Sequence, residues 1–187
     1  MNPQDKVNGI LEKKLIGDSI RQEIESSLEE RINRYLEAKP HGIIPNQHFA
    51  SASSECSKVY RDGHFIACIS LVQAVAESLV KFVCQTNGMK PSSNFERNIK
   101  TLYKLNILPD DLKGEFENIW VDRDNYHHLN PEVENDFMKL YQLAKKKLKS
   151  LVKLEKYFFD FTTSNGKINP KYPKYWTNTI GVFLRLE

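Results

Sequence analysis

The chain has few cysteines, and nothing in their spacing suggests a metal. Cys56, Cys68 and Cys84 form no CxxC pair, and an odd number of thiols suits a reducing compartment, so a disulfide framework and a cysteine-based zinc site are both set aside. There is no glycine-rich phosphate loop, no GxSxG elbow and no Cys-His nucleophile arrangement, so the commonest nucleotide-binding and acyl-transfer signatures do not apply. No long uninterrupted hydrophobic run occurs. The longest, Phe65 to Cys84, is broken by Gln73, Glu77 and Lys81, a poor bilayer span that reads as a buried central helix. Met1 to Lys6 is polar and leads into no apolar run, so neither a secretory signal nor a membrane partner is expected, and the cytoplasm is the expected location. Net charge is low, +3, with the basic residues spread along the chain, so charge alone does not mark a nucleic-acid binder.

What is present is an ordinary globular composition: 187 residues, 40% hydrophobic and 27% charged, enough for one domain with its own core. The hydrophobic pattern is helical almost throughout. Val7, Ile10, Leu11 and Leu15 predict a short leading helix. Gly17 offers a break there, and Asp18 or Ser19 a new N-cap. Ile20, Ile24, Leu28, Ile32 and Leu36 then recur every fourth residue until Pro40 and Gly42 end the helix. After a loop to Pro45, a helix starting between Asn46 and Ser51 stops at Asp62-Gly63, and the central helix follows. Ser92 or Ser93 is placed to cap a helix carrying Phe95, Ile99, Leu102 and Tyr103. A further helix beyond Pro109 carries Leu112, Phe116, Ile119 and Trp120. Asn130 as N-cap and Pro131 at the first helical position predict a long last helix with Phe137, Leu140, Tyr141, Ala144, Leu148, Leu151 and Val152 on its apolar face. Beyond Tyr157 the period fades, and Asn165-Gly166 is placed to turn a small hairpin.

The expected fold is therefore all-α, an antiparallel bundle of about five to six helices with a short irregular C-terminal tail and a small β-hairpin. Three regions follow: an N-terminal helical region, 1–45, packed on the bundle; the bundle itself, 46–155; and an aromatic-rich tail, 156–187. Ala50, Tyr60, Gly63 and Ala67 faintly match one helix pair of a tetratricopeptide repeat. No fixed period recurs, and a solenoid needs several stacked units, so this remains only a hint of a helical scaffold.

The most unusual passage is Val121 to Pro131, where Arg123-Asp124-Asn125-Tyr126-His127-His128 sits at a junction of helices. An arginine followed by a polar residue and, a few residues on, by a histidine, late in an all-helical chain, resembles the HEPN superfamily of helical RNA-processing domains. The central helix with Glu77 and the helix ending at Ile119-Trp120 share that resemblance, which covers roughly Ala50 to Leu154. Arg34 and His41 also satisfy the spacing, but they straddle Pro40 and lack that context.

The resemblance implies metal-independent RNA cleavage without a cofactor, in which the ribose 2′-hydroxyl attacks the adjacent phosphate and leaves a cyclic phosphate end. His128 would move protons, imidazole being the side chain that titrates near neutrality, and Arg123 would pair with phosphate oxygens and stabilise developing charge. Asp124 or Asn125 would orient the histidine or the substrate, and His127 is the alternative proton carrier. A homodimer sharing a basic cleft is the implied assembly, with RNA as substrate, a toxin or antiviral defence role, and an antitoxin or other regulatory protein as restraint.

The residues also admit plainer readings. Arg123, Asp124 and His128 together make a polar helix junction with a local ion pair, and His127-His128 lacks the i, i+4 pairing of a helical metal site. Glu77, a carboxylate on an apolar helix, either pairs with Arg123 or sits at the bundle edge and reaches water. Lys145, Lys146 and Lys149 are either RNA contacts or a solvated face toward a helix C-terminus. Tyr175 and Trp176, near Lys171 and Lys174, either stack on unpaired bases or dock on the domain's own core. A non-catalytic helical module binding RNA, a nucleotide or a protein is the competing function.

Overall fold

Apolar side chains at helical spacing, punctuated by glycine, asparagine and proline, produce a mostly helical chain. The computed structural model describes residues 3–177 and 181–185. Its helices are α1 (Pro3–Glu37), α2 (Ala50–Arg61), α3 (Phe65–Thr86), α4 (Phe95–Lys104), α5 (Asp110–Trp120), α6 (Arg123–His128) and α7 (Phe137–Phe158). Short antiparallel strands complete it: β1 (Ile43–Pro45) pairs with β4 (Val182–Leu184), and β2 (Phe161–Ser164) with β3 (Lys167–Pro170). The β2–β3 turn is the expected Asn165-Gly166, both at positive φ (50° and 70°), as a two-residue hairpin turn requires.

α3 is the centre. It packs against α2, α4, α5, α6 and α7, while α5 lies along α7. Ile69, Val72, Ala76, Leu79, Val80 and Val83 are fully buried, so although α3 is long and apolar enough to cross a membrane, its apolar faces are covered by protein. Asp62-Gly63 and Asn87-Gly88 end α2 and α3 as expected, with Gly63 at φ 87° and Gly88 at φ 74°.

Several boundaries depart from expectation. α1 runs unbroken through Gly17: one exposed glycine costs a helix about 1 kcal/mol relative to alanine, too little to outweigh the helix formers on both sides. Asp18 accordingly pairs with Arg21 within the helix instead of starting a new one. Nor does the whole 1–45 region pack on the bundle. Contact is confined to the end of α1, where Arg31 meets Asp62 at 2.8 Å and Arg34 Nε donates to the Arg61 carbonyl at 2.7 Å. Glu37 accepts there from Tyr60, Tyr141 and Lys145. Burial pushes the Glu37 carboxyl up, and those three donors more than offset it, holding the group below its ordinary value. The cap of α4 is Asn94, whose side chain accepts from Arg97 N at 2.8 Å, so neither Ser92 nor Ser93 serves.

The last long helix does not start at Pro131. Leu129 takes a left-handed conformation (φ 50°), residues 130–136 form an irregular link, and Asp136 caps α7 by accepting from Lys139 N at 2.9 Å. Glu134 accepts from the amides of Asn135 and Asp136 in that link, instead of lying in a helical first turn.

The tail belongs to the body. Arg185, 1% exposed at its side chain, makes a two-pronged ion pair with Glu155 of α7 (2.7 and 2.8 Å) and donates to Ser53 Oγ of α2 at 2.6 Å. Ser53 also donates to Glu155, so the last described residue ties α2 and α7 together.

Candidate functional site

The Arg123 segment is built on an unusual helix end. α5 finishes without glycine, leaving the carbonyls of Asn118, Ile119 and Val121 without helical donors. Lys147, reaching across from α7 and wholly buried, donates to all three at 3.2, 2.8 and 2.6 Å, and Gln73 of α3 donates to Ile119 and Val121 at 3.1 and 3.4 Å. An ammonium at a helix C-terminus is favourably placed against the dipole. Burial pushes its pKa down to about 8, opposed by the nearby charge of Asp122.

This clamp sets where the chain turns. Asp122 is left-handed (φ 58°), α6 follows, and Leu129 closes it. Tyr126 is the buried foot of the short helix, its carbonyl accepting from Ser70 of α3 at 3.4 Å. Asn125 is tied forward: its carbonyl accepts from Asn130 N at 3.0 Å and its side-chain oxygen from Asn130 Nδ2 at 3.3 Å. The remaining side chains of α6 point outward.

Arg123 lies over Trp120, 5.1 Å from the ring centre, and Trp120 stacks on Phe95 at 3.9 Å with planes 10° apart. Its guanidinium meets Asp124 at 3.1 Å. This stack forms one wall of a cleft of about 650 Å³ between α4, α5 and α6. The charges around the cleft are mixed: Lys100 and Arg123 against Glu96, Glu117, Asp122 and Asp124. A uniformly basic groove, which a polyphosphate backbone favours, is not what a single chain presents here.

His127 and His128 are both exposed, with rings edge to face at 5.3 Å. His127 lines a different, mostly apolar cleft of about 610 Å³ with His64, Phe65, Tyr126 and Phe137. Within one chain, therefore, Arg123 and His127 line separate clefts, and His128 lines neither of those two. Glu77 does not pair with Arg123. Lys81, one turn along α3, takes it at 2.6 Å, although Glu77 and Arg123 share the lining of a small cleft of about 220 Å³. The spacing-matched pair Arg34 and His41 is structural: Arg34 anchors α1, and His41 Nε2 lies 3.1 Å from the Phe159 carbonyl oxygen.

The lysine run is not one surface. Lys145 pairs with Glu37 at 2.8 Å and Lys147 faces the core, which leaves Lys146 and Lys149 as the exposed members. Tyr175 is buried against Phe82 and Phe158, and Trp176 packs edge-on to Phe159 and Phe161. These rings dock on the domain's own core, which removes Tyr175 as a base-stacking platform. Burial raises the Cys56 and Cys84 thiols and pushes Cys68 up to about 12. Among the described residues no group of three or more His, Cys, Asp or Glu is placed to hold a metal ion.

Lys147 and Gln73 are the positioning residues that reading the sequence missed. The signal was there for Lys147, which falls on the stripe Leu140, Ala144, Leu148 and Leu151, where a cation needs a buried acceptor. Comparison with protein-family models, curated proteins and solved structures finds no match to this chain.

Proposed function

We propose that the chain is a HEPN-like, metal-independent endoribonuclease acting through Arg123 and the paired histidines of α6. In this reading the helices form an antiparallel bundle in a cytoplasmic toxin or defence protein, restrained by a regulatory partner. The observation that carries it is the mounting of α6: a six-residue helix between two left-handed residues, held from beneath by Lys147, Gln73 and Tyr126, with an arginine and two histidines left exposed or half-exposed. Such support is what a phosphate-binding and proton-moving pair needs to keep its geometry.

The reaction balances with these groups alone. A histidine takes the proton of the ribose 2′-hydroxyl, the 2′-oxygen bonds to phosphorus and the P–O5′ bond breaks. The leaving 5′-oxygen receives a proton, and a 2′,3′-cyclic phosphate remains. Arg123 neutralises the charge on the non-bridging oxygens. Because Arg123 and His127 line separate clefts, the reading requires two copies, the arginine of one beside a histidine of the other.

A second reading has its own support. The Arg123 cleft carries more carboxylates than cations, and its guanidinium already rests on Trp120 and Asp124, as in a non-catalytic module that binds a protein or nucleotide there. Purified wild type, Arg123→Ala, His127→Ala and His128→Ala incubated with mixed RNA in excess EDTA separate the two. The nuclease reading expects cyclic phosphate ends from wild type, lost with Arg123→Ala and with at least one histidine variant while folding stays intact. Equal cleavage by all four, or none by wild type, overturns it.

A further inference from the structure

The largest unexplained feature is the outer face of α1. Ile16, Ile20, Ile24, Leu28, Ile32 and Leu36 form a continuous i, i+4 row, each side chain 43–65% exposed, and Val7, Ile10, Leu11 and Leu15 extend the apolar surface toward the N-terminus. A carbon added at Gly9 or Gly17 meets nothing within 4 Å, so this part of the helix has no neighbour in the chain. Helical stability in proteins comes mainly from packing an apolar face, and exposed apolar surface of this extent marks an interaction site.

We propose that α1 is a dimerisation arm, whose row pairs with the same row of a second copy in parallel and in register. Charge identifies the occupant. On a helix turning about 100° per residue, Lys14 and Arg21 fall on one flank of Ile16, Ile20 and Ile24, while Glu12, Glu23 and Glu30 fall on the other. Two parallel copies bring opposite flanks together, setting Arg21 against Glu23 and Lys14 against Glu12 of the second copy. An antiparallel pair sets like flank against like. These groups are free to engage: Arg21 and Glu23 are 74% and 75% exposed, held only by Asp18 at 2.7 Å and by a 3.9 Å approach to Arg31.

Geometry and area agree. A row spaced by four advances faster than the helical turn of 3.6 residues, so its partner crosses right-handed, as i, i+4 ridges do when they interdigitate. That drift also carries the row clear of the body: Arg31 and Arg34 face α2, while Ile32 and Leu36 remain 44% and 65% exposed. The six side chains of the row expose roughly 500 Å² per copy, against about 800 Å² per partner in a standard interface, and the stems of Lys14, Arg21 and the glutamates border the rest. The inference is independent of the ribonuclease reading, because it concerns mass and orientation and not cleavage.

The test uses the full chain and sedimentation velocity. Wild type is expected at twice the 21.7 kDa chain mass. Ile20→Glu with Ile24→Glu is expected to run as a monomer with its thermal transition retained, since neither side chain packs on the body. Arg21→Glu weakens the dimer by about tenfold, an exposed charge reversal acting on both symmetric contacts, and Arg21→Glu with Glu23→Arg restores it. Leu28→Cys reports orientation, the native thiols all being buried. Parallel copies bring the two new thiols within disulfide reach, whereas an antiparallel pair centred on residue 22 separates them by about 18 Å. A monomeric wild type, a double glutamate variant that stays dimeric, or a dimer that fails to cross-link overturns the proposal.

Discussion

The arm and the body of this protein invert the usual distribution of side chains in opposite ways. Along most of α1, isoleucine and leucine stand in solvent, while in the body Lys147, Glu155 and Arg185 are at or below 8% exposure. The difference shows that burial is set by what a position faces. Lys147 is tolerated inside because three carbonyls receive it, and the Arg185–Glu155 pair because the two ions satisfy each other and Ser53. The apolar row of α1 has no such neighbour within its own chain.

The contrast breaks most severely at Arg185. Arg185→Ala leaves Glu155 buried without its cation and should lower the unfolding free energy by about 3–5 kcal/mol, visible as a shifted denaturant midpoint. Replacing the pair together, Arg185→Met with Glu155→Leu, should recover most of that loss, and a double variant no better than the single one would show that the tail needs the charges themselves. Next comes an identical deletion made in both regions. Leu79→Ala in α3 should cost about 2–5 kcal/mol, whereas Leu11→Ala, at a side chain 54% exposed on the arm, should leave the body's thermal transition within about 0.5 kcal/mol.

A smaller effect separates buried from exposed charge by pH. Folded Lys147 loses its proton near pH 8, and an unfolded lysine near about 10.4. Between those values the unfolded chain binds more protons, so this residue makes stability rise with pH, by on the order of 2 kcal/mol across the window. Urea titrations at pH 7.5 to 10.5 should show that rise in wild type and a flatter profile in Lys147→Met. The mildest change is Gly17→Ala, which should add about 1 kcal/mol of local helix stability, read as raised helical circular dichroism with the body's transition unmoved.

Some of this was legible before any coordinates. The central helix, its glycine stops and the Asn165-Gly166 hairpin follow from local rules that hold wherever the segment lies. The start of α7 was misjudged because Asn130-Pro131 satisfies the local criteria for a helix start as well as Asp136 does, and the left-handed turn at Leu129 decides between them. The β1–β4 pair was invisible for a related reason: strands of three residues, 43–45 and 182–184, carry too little period to announce a partner so far along the chain. At the candidate site the sequence singled out Arg123, His127 and His128. The separate clefts they line depend on the angle at which α6 leaves α5, and that angle is set by Lys147 and Gln73, each distant in sequence from the junction.

By itself, then, the sequence determined the helical class, most of the helices, the chemistry available at residues 123–128 and the apolar row of α1, because each is a property of neighbours within a turn or two. Only the tertiary structure decided which lysine turned inward, that Glu77 answers to Lys81 and not Arg123, that the tail is bound into the body through Arg185, and that the α1 row is left uncovered. Those outcomes depend on which groups meet across the chain, and a buried charge or an exposed leucine is settled by the partner it finds there.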